Sequence, residues 1–259
     1  MNQRDQEERE KLTSKSTTVP YPISGGADDT QKKNTPVLVI SPHPDDAESG
    51  AGAMIAQWSK QGRKVILVIC TNGNKGTSDQ NIKPEKLAEI REDEQRKAAK
   101  VAGISEVIFL RYPDQGLEDT SEFREKLVRQ IRTYTPETVI TVDPVRRYIR
   151  HRDHYMTGRV TLDAVFPYSR DYLAYPEHLK EGLQPHKVRE VYLWGSEDPD
   201  TFLDVTDTFE IKLEALRCHY SQVGQGWELR EIRARTRYEE TGKRIGVQYA
   251  EAFKRIEVF

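Results

Sequence analysis

The chain has 259 residues, with 40 Lys and Arg set against 42 Asp and Glu, and two cysteines. That length suits one large domain able to bury a real core, and a net charge of −2 argues against a nucleic-acid binder that works by neutralising phosphates. Cys70 and Cys218 imply no disulfide framework; both are expected as buried reduced thiols, which fits a reducing compartment. The polar start Met1-Asn2-Gln3-Arg4-Asp5 lacks the apolar stretch of a signal peptide, and no window reaches membrane-spanning length. The expectation is a cytoplasmic protein with no membrane association.

Residues 1–34 are polar and include Ser24-Gly25-Gly26; they read as a flexible tail or surface strap, leaving 35–259 as a single α/β domain. The domain opens on Val37-Leu38-Val39-Ile40, a continuous apolar run. Similar runs follow at Val65–Ile69, Val107–Leu110, Thr138–Val142 and Val191–Trp194. They are β-branched and do not alternate with polar residues, so they predict strands buried on both faces. Helices are predicted between them: from about Ala51 to Gln61 closing on Gly62, from Pro84 to Ala102 closing on Gly103, and from Ser121 to Tyr134 before Pro136. Ser121 is the expected N-cap of the third. After Trp194 the pattern loosens into a helix from about Asp207 to Tyr220, a polar Arg/Glu segment around 228–244, and a final Tyr249–Phe259 stretch. Strand–helix alternation predicts a Rossmann-like, mostly parallel sheet with helices on both faces. Such sheets bind ligands at the carboxyl ends of their strands, near the switch point of strand order.

The first strand runs directly into Ser41-Pro42-His43-Pro44-Asp45-Asp46-Ala47-Glu48. His43 and Asp46 are three apart and can face one point from a turn; imidazole nitrogen and carboxylate oxygen are both ordinary zinc ligands. Asp45 lies between them, placed to act as the general base for a metal-bound water. A catalytic zinc takes three protein ligands and keeps one position open. Of the six histidines, His154 supplies the third ligand, from His151-Arg152-Asp153-His154 in the loop after the Thr138–Val142 strand. His151 is close enough to contact a substrate carbonyl, with Asp153 as the hydrogen-bond partner that keeps it cationic. A lone Pro-His-Pro or Asp-Asp is ordinarily a solvated turn; two His/Asp clusters, each following a buried strand of one sheet, are not expected by accident. The ligand set does not select zinc over Fe2+ or another divalent ion.

Pro42-His43-Pro44-Asp45-Asp46 followed by His151-x-Asp153-His154 resembles the LmbE-like or PIG-L-like N-acetylglucosaminyl deacetylases. The resemblance covers roughly residues 36–222. It extends to Thr71-Asn72-Gly73, Arg91-x-x-Glu94, Tyr112-x-Asp114, His219-x-Ser221-Gln222 and a Glu251-x-Phe253-x-x-Ile256 ending. Gly76-Thr77-Ser78-Asp79 and Asp143-Pro144 look most like the diacetylchitobiose deacetylase branch. The resemblance implies a zinc-dependent hydrolase of linear amide bonds that removes acetyl from an N-acetylglucosamine-containing small molecule. It assigns His43, Asp46 and His154 to the metal, and Asp45 as base and later acid. It gives His151, backed by Asp153, to the oxyanion, and Arg91 and Asp114 to sugar hydroxyls. It also implies a homo-oligomer, in the chitobiose branch a hexamer. Three departures stand out: Asn72 replaces the usual acid, Ile149 stands where some relatives carry tyrosine, and no histidine follows His219. The alternatives are an amidase of a thiol-sugar conjugate, or a non-catalytic sugar- or nucleotide-binding protein on the same fold.

Other features read more plainly. Gly50-x-Gly52 lacks the third glycine and the ribose-binding acid of a dinucleotide fold, so these glycines are expected to allow close packing. Arg146, Arg147, Arg150 and Arg152 form a basic cluster, either an anion site or a solvated loop. Glu48 is expected behind the metal site. Tyr168, Tyr172 and Tyr175 are placed to stack on a sugar or pack a surface. His178, His186, His219 and the tryptophans are expected to be structural.

Overall fold

A computed structural model of the chain describes residues 21–22, 35–148 and 150–259. The expected tail over 1–34 and the departure at Ile149 therefore lie outside the described residues, except for Tyr21–Pro22. Each of the five apolar runs forms a strand, β2 (Val37–Ser41), β3 (Val65–Thr71), β4 (Glu106–Tyr112), β5 (Thr138–Val142) and β6 (Glu190–Trp194), and three strands that no such run announced complete the set: β1 (Tyr21–Pro22), β7 (Thr201–Asp204) and β8 (Ala250–Glu257). They make one sheet in the order β1-β7-β8-β6-β5-β2-β3-β4. Strands β4, β3, β2, β5 and β6 run parallel, and among the described residues only β8 is antiparallel to its neighbours β6 and β7.

The missing alternation in the apolar runs has a packing cause. Val37 and Val39 of β2 face a core layer with Ala47, Met54 and Ala98, while Leu38 and Ile40 face the opposite layer with Phe123, Leu127 and Val160. Both faces are covered, so no position along the strand favours a polar side chain. β4, at the sheet edge, is only half-buried, which fits its Glu and Arg.

The helices are α1 (Asp46–Lys60), α2 (Pro84–Ala102), α3 (Ser121–Tyr134), α4 (Arg152–Asp163), α5 (Glu177–Lys180), α6 (Phe209–Arg217), α7 (Tyr220–Val223) and α8 (Trp227–Lys243). Helix α2 has the predicted bounds and ends on Gly103 at φ 72°. Helix α3 also has its predicted bounds, but Thr120, not Ser121, caps it: the Thr120 hydroxyl accepts from Phe123 N at 3.1 Å. Helix α1 starts five residues before the expected Ala51, because Asp46 already opens it, and it breaks at Ala51 (φ −140°). The helix expected over 207–220 divides into a short 3-10 turn, α6 and α7. The polar segment at 228–244 is the long helix α8. Cys70 is buried as expected, whereas Cys218 is only partly so; both are free thiols.

Outside the site, a single arginine organises the crossover after α4. Arg132, 2% exposed, donates to the carbonyls of Tyr168, Ser169, Asp171, Ala174 and Tyr175. Two of the three tyrosines of that loop accordingly serve packing: Tyr168 and Tyr175 have ring centroids 5.9 Å apart and line the core under α3, while Tyr172 is exposed. His178 is held by Glu125 at 2.6 Å and His186 by Pro136 O at 2.8 Å, both structural. Replacing Arg132 with Met strands several buried carbonyls, at a cost of about 3 kcal/mol. We expect the thermal midpoint to fall by roughly 6–12 °C, with metal content unchanged; a shift under a degree would show the carbonyls to be satisfied without it.

Strand order reverses at β2 and β5. The chain leaves β2 for β3 on one side and returns to β5 on the other. The crevice outside their carboxyl ends is where a sheet of this kind takes a ligand. The His43 loop opens there, and so does the first turn of α4, which carries His154 where the sequence suggested a loop.

Candidate metal centre

Leaving β2, the chain passes Pro42-His43-Pro44 and reaches Asp45 at φ 103°, ψ −25°. A non-glycine residue held this far into the left-handed region is strained, and such strain persists only where the surroundings over-determine it. Here they do. Gln95 of α2 accepts the Asp45 N–H at 3.2 Å and donates to Glu48 at 2.6 Å. Arg91, also of α2, donates to Pro44 O at 2.6 Å, Asp45 Oδ2 at 3.1 Å and Gly73 O at 3.0 Å. Gly73, at φ 61°, leaves no room for anything larger: a Cβ there would lie 2.4 Å from the guanidinium.

The strained turn projects His43 and Asp46 toward one point. Asp46 Oδ2 lies 2.8 Å from His43 Nδ1 and 3.1 Å from His154 Nε2. Ligand atoms on a tetrahedral zinc with bonds of ~2.0–2.1 Å sit about 3.3 Å apart, and both Asp46 spacings are close to that; the groups whose donor atoms all lie within 4.8 Å of one another are His43, His151 and His154, and His43, Asp114, His151 and Asp153. On its far side His43 Nε2 meets Asp114 Oδ1 and Asp153 Oδ2, each at 3.1 Å. This is the carboxylate–histidine arrangement that orients a metal-bound imidazole. Burial opposes charge on His43, but Asp114, Asp153 and Asp46 outweigh it and push the ring up to about 11. Carboxylates that favour a proton on the ring equally favour a cation bound to it. Burial would raise Asp46, yet His154 and His43 hold it well below the usual carboxylate range, so it is ionised. Asp45 differs: burial and the neighbouring Asp46 push it up to about 6, against Arg91, His219 and His43.

His151 sits beside this group, its ring 4.7 Å from that of His43 and 5.4 Å from that of His154. His43, His151 and His154 each offer an atom within 4.8 Å of the others. The expected side-chain hydrogen bond from His151 to Asp153 is not formed, since the carboxylate is 4.0 Å away. Instead the Asp153 backbone N–H donates to His151 Nδ1 at 3.2 Å. The carboxylate is engaged by Gln115 N, Leu117 N and His43. Burial and the His43 charge lower the His151 pKa and so favour the neutral ring over the expected cation; with Nδ1 accepting the Asp153 N–H, the neutral ring carries its proton on Nε2.

Arg91 and Asp114, expected against sugar hydroxyls, are 3% and 4% exposed and bonded mainly to the site itself. Arg91 braces Asp45, and Asp114 braces His43 and accepts from Lys75 N at 3.3 Å. If Asp114 is the outer partner of His43, Asp114→Asn should weaken zinc binding by about 10–100-fold; an unaltered affinity in chelator competition would remove it from that role.

Several further residues support the site. Glu48, 1% exposed, faces Gln95 and lies 3.5 Å from buried His219, behind the site as expected. Glu94 accepts from Ser221 N and Oγ, pinning α7 to α2. Helix α8 brings Arg237, Tyr238 and Thr241 to a cavity of about 160 Å³ that shares Asp46 and His154 as walls. Arg146 lines the same cavity, but the expected basic cluster disperses: Arg147 pairs with Glu197, Arg150 lies over Tyr155, and Arg152 reaches Leu117 O and Glu118. Gly50 abuts the sheet as expected, since a Cβ would lie 2.2 Å from the Trp194 ring.

A family model described as PIG-L, GlcNAc-PI de-N-acetylase, matches residues 38–165, which hold both His/Asp clusters. A diacetylchitobiose deacetylase of Thermococcus kodakarensis is 34% identical over 223 residues, 84% of this chain and 82% of the relative. The chain belongs to the PIG-L family of deacetylases. Among solved structures, an N,N'-diacetylchitobiose deacetylase from Pyrococcus horikoshii superposes with a TM-score of 0.84 at 31% identity, covering 99% of this chain and 94% of that one. The 4-carboxy-2-hydroxymuconate hydratase GalB of Pseudomonas putida superposes with a TM-score of 0.74 at 23% identity over 87% and 97% of the two chains. That likeness concerns the fold alone, and activity has to be read from the site.

Proposed function

We propose that this protein is a zinc-dependent hydrolase that removes the N-acetyl group from a small N-acetylglucosamine-containing molecule. The observation that carries the reading is the convergence of His43, Asp46 and His154 beside a strained, braced Asp45. His43 Nδ1, Asp46 Oδ2 and His154 Nε2 would hold the metal. Asp46 is preferred to His151 as third ligand because it is ionised and touches both histidines. The bound ion would supply Lewis-acid polarisation of the amide carbonyl and lower the pKa of water.

The chain's residues do the rest. Asp45 accepts a proton from water as the water oxygen bonds to the carbonyl carbon. His151 Nε2–H donates to the carbonyl oxygen as negative charge grows there, a role that a neutral ring with Nδ1 occupied can fill. Breaking the C–N bond releases acetate, and Asp45 returns its proton to the leaving amine. Arg91 keeps the Asp45 carboxylate aimed while the strained backbone is held by Gln95.

No helix among the described residues is long and apolar enough to cross a membrane. We place the protein in the cytoplasm, acting on small amino-sugar substrates and with no nucleic-acid partner. Exposed Leu173, Leu229 and Ile232 supply apolar surface for a homo-oligomer. The test is acetate release across free N-acetylglucosamine, N,N'-diacetylchitobiose, and malate- and inositol-linked N-acetylglucosamine. Turnover of at least one supports the reading, and none with zinc-loaded protein refutes it. The likeness of the chitobiose relatives over nearly the whole chain favours diacetylchitobiose and does not favour a binding protein.

A further inference from the structure

Helix α1 carries Asp46 in its first turn and breaks five residues later, at Ala51. In a continuous helix the Ala53 N–H would bond Ser49 O, and the Met54 N–H would bond Gly50 O. Here Glu251 of β8 accepts both N–H groups, at 3.1 and 2.8 Å. Ser49 O accepts instead from Lys212 Nζ of α6 at 2.8 Å and from Tyr238 OH of α8 at 2.9 Å. Lys212 and Glu251 close the arrangement on each other at 2.7 Å, and each is 1% exposed. An ion pair has been inserted into the hydrogen-bond ladder, its cation on the carbonyl side and its anion on the amide side. Gly52 makes room for it, since a Cβ there would lie 3.1 Å from Lys212 Cγ.

A buried pair of this kind is weak evidence of stabilisation. Desolvating two charges offsets most of their attraction, and apolar replacements of similar volume are often neutral. A ladder closed normally would also satisfy the same backbone groups. What the pair changes is direction: it separates the turn Asp46–Gly50 from the rest of α1, ties that turn to α6 and α8 through Ser49 O, and ties the helix beyond the break to β8, with Lys212–Glu251 joining the two sides. We infer that Lys212 and Glu251, with Tyr238, are positioning residues that set the orientation of the Asp46 turn and hence the metal-binding geometry. The inference rests on Asp46 being a ligand and not on the identity of the sugar.

The test is zinc affinity by chelator competition in Lys212→Met/Glu251→Leu and in Tyr238→Phe, with the thermal midpoint of each metal-free protein. The paired replacement lets the ladder close, so the expected result is a folded protein whose zinc affinity falls ~10-fold or more, the loss typical of disturbed outer-shell support. Tyr238→Phe, on a half-exposed site, should keep the fold and lose about two- to tenfold. A pair that merely stabilised the fold would lower the midpoint and leave the affinity of folded protein at the wild-type value, and that outcome overturns the proposal. Should the double variant not fold, wild-type affinity in Tyr238→Phe overturns it alone. Wild-type protein that binds no zinc at all would instead refute the function proposed above.

Discussion

Asp45→Asn should keep its zinc and lose about 10²–10⁴ of kcat, the range that a positioned general base contributes. Asparagine tolerates the left-handed backbone that Asp45 occupies, so the turn need not relax. It can still accept from Arg91 through its amide oxygen. What it cannot do is take a proton from water, and this isolates the chemistry from the geometry. The prediction is sharper than it would be for an ordinary surface aspartate, because burial and the Asp46 charge push Asp45 up to about 6. A carboxylate of that basicity is still largely ionised at neutral pH and is better matched to proton transfer than an unperturbed one. Zinc content at the wild-type level together with wild-type turnover would contradict the assignment of base.

His154→Ala should fail at the preceding stage. Removing an outer-shell partner already costs about 10–100-fold in metal affinity, so loss of a direct ligand should exceed ~100-fold. The variant is expected to be purified with little zinc and without measurable acetate release. Its fold should survive, because His154 is on the surface of α4, with a side chain 30% exposed. Retained stoichiometric zinc in a variant that is folded would point to His151 as the third ligand, since its ring lies within reach of the same point.

The parts of this site that were legible in the sequence are those whose signal is local. The frame was readable because β2, β3, β5 and β6 are buried on both faces, and full burial leaves an uninterrupted apolar run. His43 and Asp46 were readable because they closely follow β2, and His154 because it belongs to a second His/Asp cluster in the segment after β5. Their supports were not. Gln95 reaches Asp45 from 50 residues away, and Glu251 reaches Met54 from 197. No periodicity marks a residue for a partner at that distance. Arg91 and Asp114 enter through the resemblance, as contacts to the sugar; their hydrogen bonds also brace Asp45 and His43, which no local pattern announces. Asp153 was read as a partner of His151 because the two are neighbours in sequence, yet its carboxylate turns to His43 and two backbone amides. Helix α8 has no helical signature in the sequence because only Trp227 and Gly242 of its 17 residues are buried, so it carries no apolar stripe.

The most direct test of the metal-hydrolase account is to strip the wild-type protein with a chelator, then measure acetate release from N,N'-diacetylchitobiose while zinc is returned stepwise. The account predicts negligible release at first, then recovery that saturates near one zinc per chain. Full release by the stripped protein, unchanged as zinc is added, would contradict it.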